Sequence, residues 1–248
     1  MITLKSAREI SYMREAGRIV ALTLQELGKQ VKAGITTGDL DRFAVEFLRR
    51  AGAEPAFLGY QGYPASICAS VNEEVIHGIP GLRKLENGDI ISIDIGSVIH
   101  GYYGDTSMTF PVGEISDEAA RLMQVTEQSL YKGIEQATPG HRIGDISAAV
   151  QHYVESHGYQ VVRDFVGHGI GSHMHEEPQV PNYGKAGLGP RLQPGMVIAI
   201  EPMVNVGTYE VVVQSNGWTA VTRDQSLSAH FEHTVLITEG TPEILTRL

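Results

Sequence analysis

A chain of 248 residues, 42% of them hydrophobic, can bury a large core as one domain or as two closely joined halves. Its formal net charge of -10 at pH 7 argues against nonspecific nucleic-acid binding, and no run of basic residues marks a membrane surface. The lone cysteine, Cys68, excludes an internal disulfide framework and a cysteine-based zinc ribbon, and it fits a reducing cytoplasm.

At the N-terminus there is no secretory apolar core, and the apolar residues 19–24 are interrupted by Thr23 and followed by charges, too short for a membrane span. Ser6-Ala-Arg-Glu9 is a capping box. Ile10, Met13, Gly17, Val20, Leu24 and Leu27 then share one face, which predicts a long first helix packed on a core. Ala33-Gly-Ile-Thr-Thr-Gly38-Asp39-Leu40 leads into a second amphipathic helix ending at Arg50-Ala-Gly52. Next comes an apolar strand with an acid in its middle, Asp89-Ile-Ile-Ser-Ile-Asp94-Ile-Gly96, and eleven residues after Asp94 stands Asp105. A hairpin turn centred on Ile99 and His100 would make the two aspartates direct cross-strand neighbours, with Cβ atoms roughly 4.5 to 5.5 Å apart. After Ser116-Asp-Glu a third helix is predicted from about residue 118 to 136, with Leu122, Val125, Leu130 and Ile134 apolar.

The second half repeats the first. Pro139-Gly-His-Arg-Ile-Gly144-Asp145-Ile146 and the helix ending at His157-Gly158 match the earlier turn and helix, at an offset of 144 − 38 = 106. Leu192-Gln-Pro-Gly195-Met-Val-Ile-Ala-Ile-Glu201 matches the strand of Asp94 at an offset of 201 − 94 = 107. Two related α+β halves, about 1–112 and 113–248, are expected to lay their sheets together, with Asp94 and Glu201 across a pseudo-twofold axis.

Ionised side chains are almost never buried unless paired or bound to metal. Yet Asp94, Asp105, Glu201 and Glu232 all lie in or beside strand-like apolar runs, and His168 stands among the glycines of Gly167-His168-Gly169-Ile170-Gly171. Singly, each has an ordinary reading: Asp94 caps a bend, Asp105 is a turn residue, Glu201 ends a strand before Pro202, and His168 is a loop histidine. Glu232, followed by apolar residues, is hardest to dismiss. Together the five form a hard, oxygen-rich set for one divalent ion or two, favouring Mn, Fe, Co or Zn in a hydrolytic site over structural zinc.

With His77 in Asn72-Glu-Glu-Val-Ile-His77-Gly78-Ile-Pro80 and His175 in His175-Glu-Glu-Pro178, this set resembles type I methionine aminopeptidase along essentially the whole chain. The resemblance implies the pita-bread fold, a single catalytic domain and removal of the initiator methionine from nascent polypeptides, in the short bacterial or organellar form. It implies that Asp94 holds one metal, Asp105 and Glu232 bridge, and His168 and Glu201 hold the other, with Glu201 also a general base. His77 and His175 then contact the scissile amide and the oxyanion, and Tyr60, Tyr63, Cys68, Met174 and Trp218 line the methionine pocket. It further implies two divalent ions (Co, Mn, Fe, Zn or Ni), a monovalent cation near Asn72 and Ser228, and a cytoplasmic monomer acting on nascent chains at the ribosome. Met174, where many relatives carry Phe, and His230, where relatives often carry Gln, depart from the pattern. Two alternatives accompany this reading: a prolidase or Xaa-Pro aminopeptidase, which usually carries an additional N-terminal domain, and a non-catalytic binding protein, which would have lost metal ligands.

Overall fold

The computed structural model describes residues 2–248. Its first helix, α1 (Ala7–Gln30), starts as the capping box predicts: the Glu9 N–H donates to the Ser6 hydroxyl and the Ser6 N–H to the Glu9 carboxylate. Val20, Leu24 and Leu27 of α1 pack with Leu40 and Leu48 of α2 (Thr37–Arg50) on Ile91, Ile93 and Ile95. Strand alternation sends the intervening Ser92 and Asp94 to the opposite face. The second half is covered in the same way. Leu130 and Ile134 of α3 (Asp117–Glu135) and Ile146 of α4 (Ile143–Ser156) pack with Ile198, Ile200 and Val235. Among the described residues no helix is long and apolar enough to cross a membrane.

The strands do not form two sheets laid face to face, as the repeat suggested. Six of them form two three-stranded sheets, and the other nine, from both halves, join edge to edge in one sheet. Its centre runs Ile90–Ile99, Tyr102–Pro111, Glu232–Leu236, Val197–Ile200, Gly167–Gly169 and Glu176–Val180, and Ile67–Val71 pairs with Ile90–Ile99. The seam between the halves is the antiparallel pair of Tyr102–Pro111 with Glu232–Leu236. Edge-to-edge union satisfies the backbone groups of both strands. It also leaves one face of a continuous sheet free of helices.

One register expectation is corrected. Ile99 pairs with Tyr102, so the hairpin turn is His100-Gly101, with φ of 52° and 78°, the positive-φ pair of a two-residue type I′ turn. Asp94 therefore opposes Ser107 and Asp105 opposes Gly96. The two aspartates are diagonal neighbours on one face instead of direct ones.

A close backbone approach occurs at the start of both short helices. The Gly38 N–H donates to the Gly81 carbonyl at 2.9 Å and the Gly144 N–H to the Leu188 carbonyl at 3.0 Å. A Cβ on Gly144 would lie 2.3 Å from the Lys185 carbonyl oxygen. Gly144→Ala is expected to cost roughly 1–3 kcal/mol through overpacking, read as a drop of several degrees in Tm; an unchanged Tm would contradict that approach.

Candidate metal centre

The sheet register assembles the site. Cys68 opposes Asp94, Asp94 opposes Ser107, and Ser107 opposes Glu232. Opposed residues share a face, so these side chains form a row across four strands. Asp105, two residues from Ser107, lies on that face. Because His233 pairs with Ile200, the next step of the register brings Glu201 beside Glu232. His168 enters from Gly167–Gly169, which pairs with the strand that leads into Glu201.

Asp105, His168 and Glu232 offer ligand atoms that all lie within 4.8 Å of one another. His168 Nε2 is 3.6 Å from Glu201 Oε1 and 4.0 Å from Asp105 Oδ2. The His168 Nδ1–H donates to the Gly169 carbonyl at 2.9 Å, which leaves the Nε2 lone pair facing the carboxylates. All four acids are buried. Among the described residues none pairs with a lysine or arginine, and Asp94 Oδ1, Asp105 Oδ1 and Glu232 Oε1 are buried without hydrogen-bond partners. Burial, and then mutual repulsion, pushes the Asp94, Glu201 and Glu232 carboxyls well above their ordinary range. Burial pushes Asp105 up to about 7 and the His168 imidazole down to about 3. Orphaned acceptors, crowded carboxyls and an inward lone pair are a donor set that divalent cations fit.

Beside the acids opens a cavity of about 270 Å³. Its lining includes the five metal-set residues, His77 and His175, and the five residues of the expected pocket. The Tyr63 hydroxyl, 3.0 Å from both the Ile67 and Gly78 carbonyls, is fixed from behind, and Trp218 meets its ring edge-on at 5.1 Å. Cys68 is buried, and desolvation raises its pKa well above the usual value, which makes it a wall and not a nucleophile. His77 occupies the left-handed region, with φ of 59°, and packs against Phe165 at 5.4 Å; burial lowers its pKa to about 4. His175 stands at the exposed mouth with its Nδ1 2.7 Å from the Tyr60 hydroxyl and its ring 4.2 Å from that of His168. Partial desolvation lowers its pKa.

His230 is buried with its Nε2 4.0 Å from Glu201 Oε2 and no hydrogen-bond partner. Asn72 and Ser228 meet backbone to backbone at 2.9 Å and do not line the cavity. Phe57, Gln61, Ile76, Phe165 and Val166 do line it and were missed from sequence. For Phe165 and Val166 the signal was available: they directly precede Gly167-His168.

A sheet with helices on one face and buried acids on the other defines the pita-bread metallohydrolases, and the chain belongs to Metallopeptidase family M24, whose family model matches residues 11–239. It is 60% identical over 247 residues to a methionine aminopeptidase of Clostridium acetobutylicum, covering 99% of each chain. It superposes with the crystal structure of methionine aminopeptidase from Rickettsia prowazekii with a TM-score of 0.98 at 44% identity, covering 100% of both. Within its family the chain thus stands among the methionine aminopeptidases and is a divalent-metal-dependent hydrolase. A prolidase from Pyrococcus horikoshii OT3 shares the fold, with a TM-score of 0.81 at 23% identity, and the chain covers 63% of it.

Proposed function

We propose that the chain removes the N-terminal methionine from nascent proteins and peptides, with preference for a small second residue. The observation that carries this reading is a single cavity in which four buried carboxylates and His168 face an apolar slot of Tyr63, Cys68, Met174 and Trp218. Asp94 would hold one divalent ion and His168 with Glu201 a second, Asp105 and Glu232 serving both. The donors suit Co, Mn, Fe, Zn or Ni. When bound, such ions acidify a water and polarise the scissile carbonyl.

The chain's own residues do the rest. The Glu201 carboxylate, 3.6 Å from His168 Nε2 at the edge of the acid cluster, would take the water's proton. His77, neutral at pH 7 because its pKa lies near 4, and His175 present ring N–H groups to the amide and to the developing oxyanion. The substrate's terminal amine, once neutral, would be held at a metal position, and a soft slot of sulfur and aromatic rings suits a thioether.

Peptide hydrolysis tests the reading. Met-Ala-Ser is expected to exceed Ala-Ala-Ser by roughly 10- to 200-fold in kcat/KM, the value of about 1–3 kcal/mol of apolar contact. Comparable rates for Met-Ala-Ser, Leu-Ala-Ser and Ala-Ala-Ser would defeat the methionine assignment, and cleavage of Ala-Pro in preference to Met-Ala would favour the prolidase reading. Trp218→Ala should weaken the preference for methionine without removing metal.

The halves at about 1–112 and 113–248 form one catalytic domain in this reading, supported by the close approach repeated at Gly38 and Gly144. A monovalent cation near Asn72 and Ser228 is supported by the partnerless buried Ser228 hydroxyl. A reducing cytoplasm is supported by the free Cys68 thiol, and action on chains emerging from the ribosome by the substrate class.

A further inference from the structure

The loop between the strands Gly167–Gly169 and Glu176–Val180 carries Met174 and His175, and it is held at its base by Glu176. Glu176 Oε1 accepts the His173 N–H at 3.2 Å. Its Oε2 accepts from the Lys5 ammonium at 2.6 Å and from the Thr3 hydroxyl at 2.9 Å. Lys5 also donates to the Thr3 hydroxyl, and its backbone N–H donates to the Gly195 carbonyl at 2.8 Å. The Lys5 and Glu176 side chains are only 5% and 12% exposed, so solvent and salt screen this pair far less than a surface one. Gly171 makes the room: a Cβ there would lie 2.4 Å from Lys5 Cε and 2.6 Å from Glu176 Oε1.

One carboxylate thus ties the segment ahead of α1 to the residue next to His175. His175 itself stands at the mouth of the cavity with a single side-chain hydrogen-bond partner, the Tyr60 hydroxyl. Its pose is therefore set by the backbone of its loop, which is held by the Gly171 N–H on the His173 carbonyl, by the pairing of Gly169 with Glu176 and by the Glu176 carboxylate on the His173 N–H. We infer that Lys5 and Thr3 are positioning residues for His175, acting through Glu176, so that the N-terminal segment is a working part of the active site. The inference rests on the reading of His175 as a residue that acts on substrate.

A double-mutant cycle in the full-length, Mn-loaded protein tests it, with Met-Ala-Ser as substrate and at a temperature well below every variant's Tm. Lys5→Met is expected to lower kcat by on the order of 10²-fold, the cost of a misplacement of about 1 Å, with KM and metal content little changed. Lys5→Arg should recover most of the loss, because a guanidinium still donates to the carboxylate. The decisive reading is the combination: Lys5→Met with His175→Ala should be no slower than His175→Ala alone, because the first change acts only through the second residue. In metal-free protein the ring resonances of His175 should also move on Lys5→Met. Parental kcat in Lys5→Met, or a double variant slowed by the product of the two single effects, would overturn the inference. Should Lys5→Met fail to fold, Thr3→Val takes its place, with a smaller loss and the same non-additivity required. If His175→Ala alone keeps normal kcat, the reading of His175 falls first; if it is slow while Lys5→Met and Thr3→Val are not, only the positioning role falls.

Discussion

Stripping divalent metal from the protein is expected to abolish peptide hydrolysis and, at the same time, to make its stability fall as pH rises from about 7 to 8.5. The loss of activity should exceed the 10²- to 10³-fold typical of removing one oxyanion donor, roughly, because the cations serve both water and carbonyl. The stability effect follows from linkage. Folding raises Asp105 to about 7 and the Asp94, Glu201 and Glu232 carboxyls well above their ordinary range, so from about pH 4 upward the folded chain holds protons that the unfolded chain has lost, Asp105 only until about pH 7 and the other three beyond it. Stability then declines with pH, by about 1.4 kcal/mol per pH unit for each proton so held. Between about pH 4 and 6.5 the buried histidines act in the opposite sense and offset the carboxyls. His77 falls from 6.5 to about 4, and His168 and His230 from 6.5 to about 3, so their contribution grows as pH rises towards 6.5. The decline should therefore be clearest above about pH 6.5, where the histidines no longer oppose it. Glu232→Gln removes one carboxyl that must hold a proton to stay buried and should raise the Tm of chelated protein at pH 8.5 while lowering bound metal. Full activity in protein shown by metal analysis to be empty, or a Tm indifferent to pH in this window, would dismantle the site.

Much of this site was legible because burial makes an acid conspicuous. Asp94 and Glu232 stand inside apolar strands, and no propensity or capping rule needs a carboxylate there. The capping box at Ser6 and Glu9 was equally plain, since it depends on two residues three apart. What failed was geometry fixed elsewhere. The register of Asp94 against Asp105 turns on His100 accepting a φ of 52°, which glycine would have advertised and histidine does not. The row from Cys68 to Glu232 depends on Tyr102–Pro111 pairing with a strand more than a hundred residues downstream, and nothing local specifies that partner. Lys5 reads as an ordinary surface lysine before a helix. Only the fold shows that Gly171 and Glu176 enclose it.

Replacing His175 by alanine should leave bound metal unchanged and reduce kcat by on the order of 10²-fold or more, the usual value of a lost proton-transfer or oxyanion contact. The separation of metal content from rate is what the geometry demands. His175 Nδ1 lies 2.7 Å from the Tyr60 hydroxyl, whereas the cluster with ligand atoms within 4.8 Å of one another is Asp105, His168 and Glu232. With the Tyr60 O–H donating to Nδ1, the ring proton sits on Nε2 and is available to substrate. Tyr60→Phe releases that tautomer and should give a smaller loss of kcat than His175→Ala, with the two changes together no worse than His175→Ala. A His175→Ala variant of normal kcat removes the residue from the reaction. One that loses metal as well would move it into the ligand set, where His168, whose ring lies 4.2 Å away and tilted to it, would have to share its position.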